Sequence, residues 1–328
     1  MNKKFMKIVG ALSACFVLYS GVGCTAEIQD SNDNKAISNL DPARFNKLIE
    51  DTKFLLGEAD KNLNVQELKK RMRGVALRMR TAQYELAQKG YQDKKLDALS
   101  FKTAVETVTK EESWPRYMML ISQTVGDSAP YLIVFEQGNV RDNYKISNWV
   151  RLFPKTSITS SKTVSEGIEL YKPKASNLVE KPENVLGKYS EYLNGNKDLN
   201  KYFAEDTFSA KFWEEKSKLS ESLRDIADVD TKIYSNPDKI VSFKLNDGSA
   251  LVVTSFKYDV KFLRGNHNKE GKVSGALQVL LGDNNKIDSD IVATYNVSIA
   301  FIVPEKTAKD NKIRPVGAER VLISATKK

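Results

Sequence analysis

The clearest structural pattern in the chain lies in residues 65–90, which read VQELKKRMRGVALRMRTAQYELAQKG. The apolar residues recur at alternating steps of three and four, which places them on one face of an α-helix: Val65, Leu68, Met72, Val75, Met79, Ala82 and Leu86. Gly90 ends the run, as glycine commonly does at a helix C-terminus. The stretch therefore predicts one amphipathic helix, and its apolar face needs another element to cover it.

The opposite face of this helix is basic. It carries one acidic residue, Glu67, and six cations: Lys69, Lys70, Arg71, Arg73, Arg78 and Arg80. If Lys69, Lys70, Arg73 and Arg78 face outward together, they form a stripe suited to anionic lipid head groups or wall polymers. The simpler interpretation is a solvated helix face whose long side chains cover apolar surface with their stems. We favour the simpler interpretation, because charged faces are common on amphipathic helices.

The segments on either side complete an α+β pattern. Before the basic helix, Asp41 is a candidate cap, Pro42 suits the first turn, and Gly57 marks the expected end of a first helix. Beyond the basic helix the apolar period changes to two, which indicates strands near 98–108, 116–125, 131–137 and 144–153. Gly126-Asp127 and Gly138-Asn139 mark turns between strands. Such a sheet uses its apolar face to cover amphipathic helices.

The second half of the chain repeats this order. Helices are expected around 182–194 and 206–226, and strands follow near Ile233 and over 240–245, 250–262, 273–281, 291–303 and 318–324. Asn246-Asp247-Gly248 predicts a hairpin turn, in which the central residues need positive φ. The fold class is therefore α+β, with two helix-plus-antiparallel-sheet domains over 41–178 and 179–328, each cystatin-like or nuclear-transport-factor-2-like. Residues 155–181, rich in Ser, Thr and Lys, end the first sheet and provide the linker.

The first 23 residues have the order of an export signal. A basic start (Lys3, Lys4, Lys7) precedes an apolar run over 8–19 and a small-residue exit, and the run is shorter than the about 20 residues of a membrane-spanning helix. Gly21-Val22-Gly23-Cys24 resembles a bacterial lipobox. Cleavage after Ala26 by ordinary signal peptidase is the alternative, and it would give a secreted protein.

Cysteine usage favours the lipobox, because a secreted protein seldom keeps one purposeless thiol and the chain has two cysteines, Cys15 and Cys24. We therefore expect palmitate or a similar acyl group on Cys24, and a protein held at the extracytoplasmic face of the cell membrane. Residues 24–40 are polar and read as a disordered tether.

The charge balance points to anionic partners outside the cell. The net charge is +9, and removal of Lys3, Lys4 and Lys7 with the signal leaves +6. Such an excess favours approach to an anionic bilayer or to wall polymers, and another envelope protein is the alternative partner. Nucleic acid is not expected as a partner there.

Several motifs together resemble an uncharacterised actinobacterial family of secreted or membrane-anchored proteins. They are Arg71–Leu77 with Arg80, Ala82 and Tyr84, then Trp114-Pro115-Arg116, Arg141–Lys145, Trp149–Pro154 and Asp247–Val253. The resemblance covers nearly all of the mature chain. It implies an envelope location and transfers no catalytic residue.

Two aromatic-basic pairs are further binding candidates. Trp114 with Arg116, and Trp149 with Arg151, could build a shelf where arginine stacks on indole and a polymer docks. The alternative is that both tryptophans cover the end of the sheet, which we favour because large aromatic residues more often serve packing.

Most catalytic chemistry is excluded by counting. His267 is the single histidine and lies in a predicted turn, so no Ser–His or Cys–His pair is credible, and clustered zinc or copper ligands are lacking. No Walker loop or dinucleotide fingerprint occurs, and no cofactor is expected. Asp288-Ser289-Asp290 is a weak candidate metal motif, and we assign no metal ligand.

The expected function is therefore non-enzymatic binding or scaffolding at the outer membrane face. The alternative is an envelope hydrolase that uses carboxylates on a concave sheet face. A pocket converging on two or more acids would favour the hydrolase, and a shallow basic or aromatic groove would favour the binding protein.

Overall fold

The computed structural model describes residues 38–91, 96, 98–110, 113–124, 129–159, 161–235 and 239–328. The predicted signal peptide, Cys24 and most of the predicted tether lie outside these residues, as does the predicted turn at Gly126-Asp127. From Ala36 onward the chain forms one compact unit.

The described residues contain six α-helices and nine β-strands. The helices are α1 Pro42–Asn62, α2 Val65–Arg71, α3 Gly74–Gln88, α4 Pro182–Leu193, α5 Thr207–Leu223 and α6 Gly275–Leu281, with a 3₁₀ turn over Lys197–Lys201. The strands are β1 Thr103–Val108, β2 Arg116–Ser122, β3 Tyr131–Gln137, β4 Lys145–Leu152, β5 Asp228–Tyr234, β6 Val241–Lys244, β7 Ala250–Leu263, β8 Ile291–Val303 and β9 Arg314–Lys327. The predicted α+β class is confirmed.

All nine strands belong to one antiparallel sheet. Its order is β1-β2-β3-β4-β9-β8-β7-β5, and β6 pairs with β7 beside β5. The two halves of the chain meet where β4 pairs with β9, through Arg151 opposite Ala318 and Leu152 opposite Gly317. The segments predicted as separate domains, 41–178 and 179–328, thus contribute to one sheet, which has no break at the predicted boundary.

The sheet buries apolar side chains on both faces. On one face α1, α2 and α3 cover the first-half strands, and α4 and α5 cover β7, β8 and β9. On the other face the two halves pack against each other, with Met119 and Val150 from the first half in the same cluster as Phe243 and Leu251 from the second. Alternation along the strands therefore sends every second residue into a shared core.

The predicted single helix over 65–86 is two helices, and the prediction is wrong at its middle. Met72 and Arg73 adopt extended conformations, and the Arg73 amide donates to the Ile146 carbonyl of β4 at 2.9 Å. Gly74 then starts α3 with a φ of +55°. The predicted apolar position of Met72 is confirmed, because its side chain is buried. The helix breaks there because the Arg73 amide bonds to a strand instead of to a carbonyl of the preceding helical turn.

Other features also differ from the predictions. Gly57 lies inside α1, which ends at Asn62 and is capped by Leu63 with a φ of +49°. The predicted strand over 273–281 is helix α6, because a short apolar run suits either structure. The predicted hairpin at Asn246-Asp247-Gly248 forms between β6 and β7, but Gly248 alone of the three has positive φ, at +78°.

Candidate functional site

The four basic residues proposed as a stripe do not lie on one rigid helix. Lys69 and Lys70 are exposed on α2, where Lys70 pairs with Glu67 at 2.7 Å. Arg73 lies in the break and is half-buried, and Arg78 is half-buried on α3. The continuous basic face of the sequence prediction is therefore divided between two helices.

Arg73 is turned toward the sheet by a buried carboxylate. Glu136 at the end of β3 is 2 % exposed, and its Oε1 lies 3.3 Å from the Arg73 Nη1 and accepts a hydrogen bond from the Lys239 ammonium. Burial raises the pKa of the neighbouring Tyr117 phenol to about 12, and the Glu136 charge adds to this. The cluster thus neutralises Arg73 and joins the first half of the chain to Lys239 of the second.

Arg80, expected on the outer basic face, is buried instead. Its Nε donates to the Asp60 Oδ1 of α1 at 2.9 Å, and the Tyr84 hydroxyl donates to the same oxygen at 2.6 Å. Burial, reinforced by the hydrogen bond to Asp60, raises the pKa of Tyr84. This ion pair holds α1 against α3, so its role is structural.

The predicted aromatic-basic shelf is assembled only in part. The Arg116 guanidinium lies 4.3 Å from the centroid of the Trp114 ring, as the stacking hypothesis requires. Trp149, however, is buried in the first-half core. Arg151 stacks on Tyr131 instead, 4.7 Å from its ring centroid, and donates to the Tyr131 hydroxyl at 2.6 Å.

Arg151 also reaches a cavity of about 770 Å³ on the helix-covered face of the sheet. Strands β5, β7, β8 and β9 supply the floor, and α3, α5 and α6 supply the walls. Helix α3 belongs to the first half and α5 to the second, and both cover the same face of the sheet. The cavity is the space that remains between these two helix groups above the strands.

The floor of the cavity carries a stacked pair of tyrosines with a charged group above them. The rings of Tyr258 and Tyr295 lie 5.0 Å apart and nearly parallel, at 11°. The Arg320 guanidinium is 5.3 Å from the Tyr295 ring centroid and donates to the Tyr258 hydroxyl at 3.1 Å. Burial raises the pKa of both phenols, so both are neutral donors at physiological pH.

Both carboxylates that line the cavity are paired with arginine. Glu215 of α5 accepts from Arg320 at 2.6 and 3.2 Å in a two-pronged contact. Glu319 lies 3.7 Å from the Arg151 Nε. Lys216 is different, because its ammonium donates to the Thr231 hydroxyl at 3.1 Å and no carboxylate of the described residues is within ion-pair distance.

The cavity has a polar end and an apolar end. Thr231 is opposite Val260, which lies two residues from Tyr258 along β7, and Lys216 and Arg320 lie at this end. Two residues farther along the strands, Val229 is opposite Phe262. The remaining lining there is mainly apolar, with Leu223, Val273 and Ile287, and the exposed Lys272 and Ser274 flank Val273. From Tyr258 to Phe262 the strand advances by roughly 13 Å.

Sequence reasoning found one residue of this cavity, Arg151. Tyr258, Tyr295 and Arg320 lie on strands that were predicted, and α5 was predicted as well. What the sequence does not contain is the strand order, which places β9 between β4 and β8 and so brings these residues together. The sequence feature that could have indicated them is the placement of tyrosine and arginine at alternate strand positions, on the face that points inward.

The remaining candidates have structural partners. The Asp288 carboxylate accepts a hydrogen bond from the Lys327 ammonium, and Asp290 Oδ1 accepts from the Arg264 amide at 2.9 Å. His267 lies in the predicted turn with its Nε2 3.4 Å from Asp228. Over the described ranges, no three His, Cys, Asp or Glu side chains are grouped to hold a metal ion.

None of the helices in the described part combines the length and apolar character that a bilayer crossing requires. No family model matches the chain, and neither the curated proteins nor the solved structures contain a significant match.

Proposed function

We propose that this is a non-enzymatic binding protein of the cell envelope, with the cavity between α3, α5 and α6 as its binding site. The observation that carries the proposal is the cavity itself. Its volume lies within the about 300–1,000 Å³ of small-molecule sites, and its lining combines apolar side chains with several polar and charged groups.

The proposed cellular location rests on the N-terminal sequence. A lipid on Cys24 would hold the protein at the extracytoplasmic face of the membrane, with the surplus positive charge favouring anionic lipid or wall polymers. We expect Cys24→Ser to move the protein from the membrane fraction to the medium or to block its maturation. Unchanged fractionation with an intact mass that lacks lipid would contradict acylation and favour secretion after cleavage at Ala26.

Membership of the uncharacterised actinobacterial family of envelope proteins is part of this proposal. So is a cystatin-like or nuclear-transport-factor-2-like relationship for each half of the chain. The helices of each half pack on one face of antiparallel strands, which supports that relationship without requiring two separate domains.

The hydrolase alternative is less well supported. It needs a carboxylate that is free to act as an acid, base or nucleophile. Glu215 and Glu319 line the cavity, but each is paired with an arginine. That arrangement suits a fixed electrostatic environment for a bound molecule better than proton transfer.

The proposal is tested by filling the cavity with a larger side chain. Ala276 of α6 lines it and is half-buried, and Gln278 on the same helix is exposed and does not line it. Native mass spectrometry of the purified protein, after incubation with an envelope extract, should show a bound small molecule. Ala276→Trp should abolish the adduct while Gln278→Trp retains it. An adduct that persists in a folded Ala276→Trp protein would place the binding site elsewhere.

A further inference from the structure

We infer that the cavity binds a single-chain amphiphile with an anionic head group, with the Lys216 ammonium as the group that recognises the head. This inference rests on the proposed function, because it names the ligand class of the same cavity. Its grounds are the segregation of polar and apolar lining, the charge balance, and the state of Lys216.

The segregation selects the shape and polarity of the ligand. The polar end presents the Thr231 and Tyr258 hydroxyls with Lys216 and Arg320. The other end is lined mainly by Val229, Phe262 and other apolar side chains, and its polar residues Lys272 and Ser274 are exposed. A molecule that is polar throughout would leave its groups without hydrogen-bond partners at the apolar end, which is costly. A pure hydrocarbon would leave the Lys216 charge desolvated at the other end. A head group joined to a hydrocarbon chain satisfies both ends.

The charge balance selects the sign of the head group. Arg151, Lys216, Lys272 and Arg320 line the cavity together with Glu215 and Glu319, which leaves an excess of two positive charges. Glu215 neutralises Arg320, and Glu319 lies against Arg151. Lys272 is exposed. Lys216 is therefore the half-buried cation whose charge is not already balanced, and a carboxylate or phosphate placed beside it would gain a charge-assisted hydrogen bond.

The length of the cavity selects a medium chain. The full span from Tyr258 to Phe262 along β7 is roughly 13 Å, which sets an upper length close to that of an extended alkyl chain such as that of dodecanoate. A free fatty acid and a single-chain phosphate ester share this chemistry, so dodecanoate and dodecyl phosphate are tested separately. Dodecanol supplies the same chain without charge, and dodecylamine supplies it with the opposite charge.

The test measures binding of these four probes by isothermal titration calorimetry, below their micelle concentrations. We expect dodecanoate or dodecyl phosphate to bind at least tenfold more tightly than dodecanol, which corresponds to about 1.4 kcal/mol, and dodecylamine to bind most weakly. Lys216→Met should remove the preference for the anionic probes over dodecanol. Lys216→Gln, which keeps a donor for Thr231 without the charge, should do the same.

The matched control is Lys218→Met. Lys218 lies two residues farther along α5, is exposed, pairs with Glu214 at 2.5 Å and does not line the cavity. Equal affinity for dodecanoate, dodecyl phosphate and dodecanol, or equal loss in the Lys216 and Lys218 variants, would overturn the anionic preference but leave cavity binding standing. Probe binding that Ala276→Trp does not reduce, or no binding of any probe, would overturn this inference. A cavity-dependent adduct from the envelope extract would in either case keep the proposed function.

Discussion

Glu169 lies where the two halves of the chain meet on the face of the sheet away from the helices. Its carboxylate is 2.9 Å from the Lys110 ammonium, beside β1, and 3.2 Å from the Lys244 ammonium of β6. The hydrogen bond from Lys110, followed by that from Lys244, lowers the pKa of Glu169 below its ordinary value of 4.5. One exposed carboxylate thus links segments that are distant in sequence.

Glu169 should make a pH-dependent contribution to stability. Because its folded-state pKa is lowered, the contribution is present above pH 4.5 and is lost as the pH falls through the folded value. Glu169→Gln should lower the free energy of unfolding by at most about 1 kcal/mol at neutral pH, since the site is exposed and screened. Urea unfolding at several pH values should show the difference between the two proteins disappearing in acid.

Glu221→Gln is the control for Glu169→Gln, because Glu221 is an exposed glutamate on α5 without an ion pair among the described residues. It should change stability little at any pH. If the free energy of unfolding of Glu169→Gln stays equally far below that of the unmodified protein in acid, packing rather than charge links Lys110 and Lys244 to this position.

At the scale of the element, the junction between β4 and β9 depends on a close backbone approach at Gly317. A Cβ atom on Gly317 would lie 2.8 Å from the Arg151 carbonyl oxygen and 3.1 Å from the Leu152 Cα, and both are backbone atoms that cannot rotate away. Glycine is required here by contact rather than by φ.

Gly317→Ala should therefore destabilise the protein by about 1–3 kcal/mol, the usual cost of overpacking. Gly187 on α4 is the matched control, since nothing lies within 4 Å of a Cβ placed there. Gly187→Ala should raise stability by up to about 1 kcal/mol through helix propensity. Thermal unfolding of both variants tests the prediction, and equal melting temperatures would contradict the tight junction.

The elements also show what the sequence could predict. Strands β3, β4 and β8 and helix α4 were predicted within one or two residues, because each combines strong periodicity with clear end signals. The break at Met72 and Arg73 was missed because its cause is a hydrogen bond to Ile146, distant in the chain. Helix α6 was missed because its short apolar run has no periodicity that separates helix from strand.

At the scale of the whole molecule, the shared core predicts that the two halves unfold together. Trp114 and Trp149 report on the first half, and Trp213 on the second. Trp213→Phe should leave a fluorescence transition in urea that coincides with the loss of secondary structure seen by circular dichroism. The double variant Trp114→Phe with Trp149→Phe should give the same coincidence for Trp213. Separate transitions would instead support two independent units.

The whole-molecule arrangement is the part that periodicity could not supply. Each strand is predicted from its own residues. A two-residue period in hydrophobicity shows which face of a strand is apolar, but it does not show which strands are neighbours in the sheet. The apolar residues on the second face, such as Val134, Val150 and Leu251, are equally consistent with two separate sandwiches or one shared core. The pairing of β4 with β9 selects the shared core. The same pairing also determines where the cavity lies.

The place of β9 in the sheet also has a consequence for biosynthesis. Of the nine described strands it is the last to leave the ribosome, yet it lies between β4 and β8, where it pairs with twelve residues of β8. Until it arrives, the long edge of β8 has no partner, and an unpaired edge of that length is prone to associate with other chains. The sheet therefore cannot be completed before this last region has been synthesised, and the edge of β8 stays open to other chains until then.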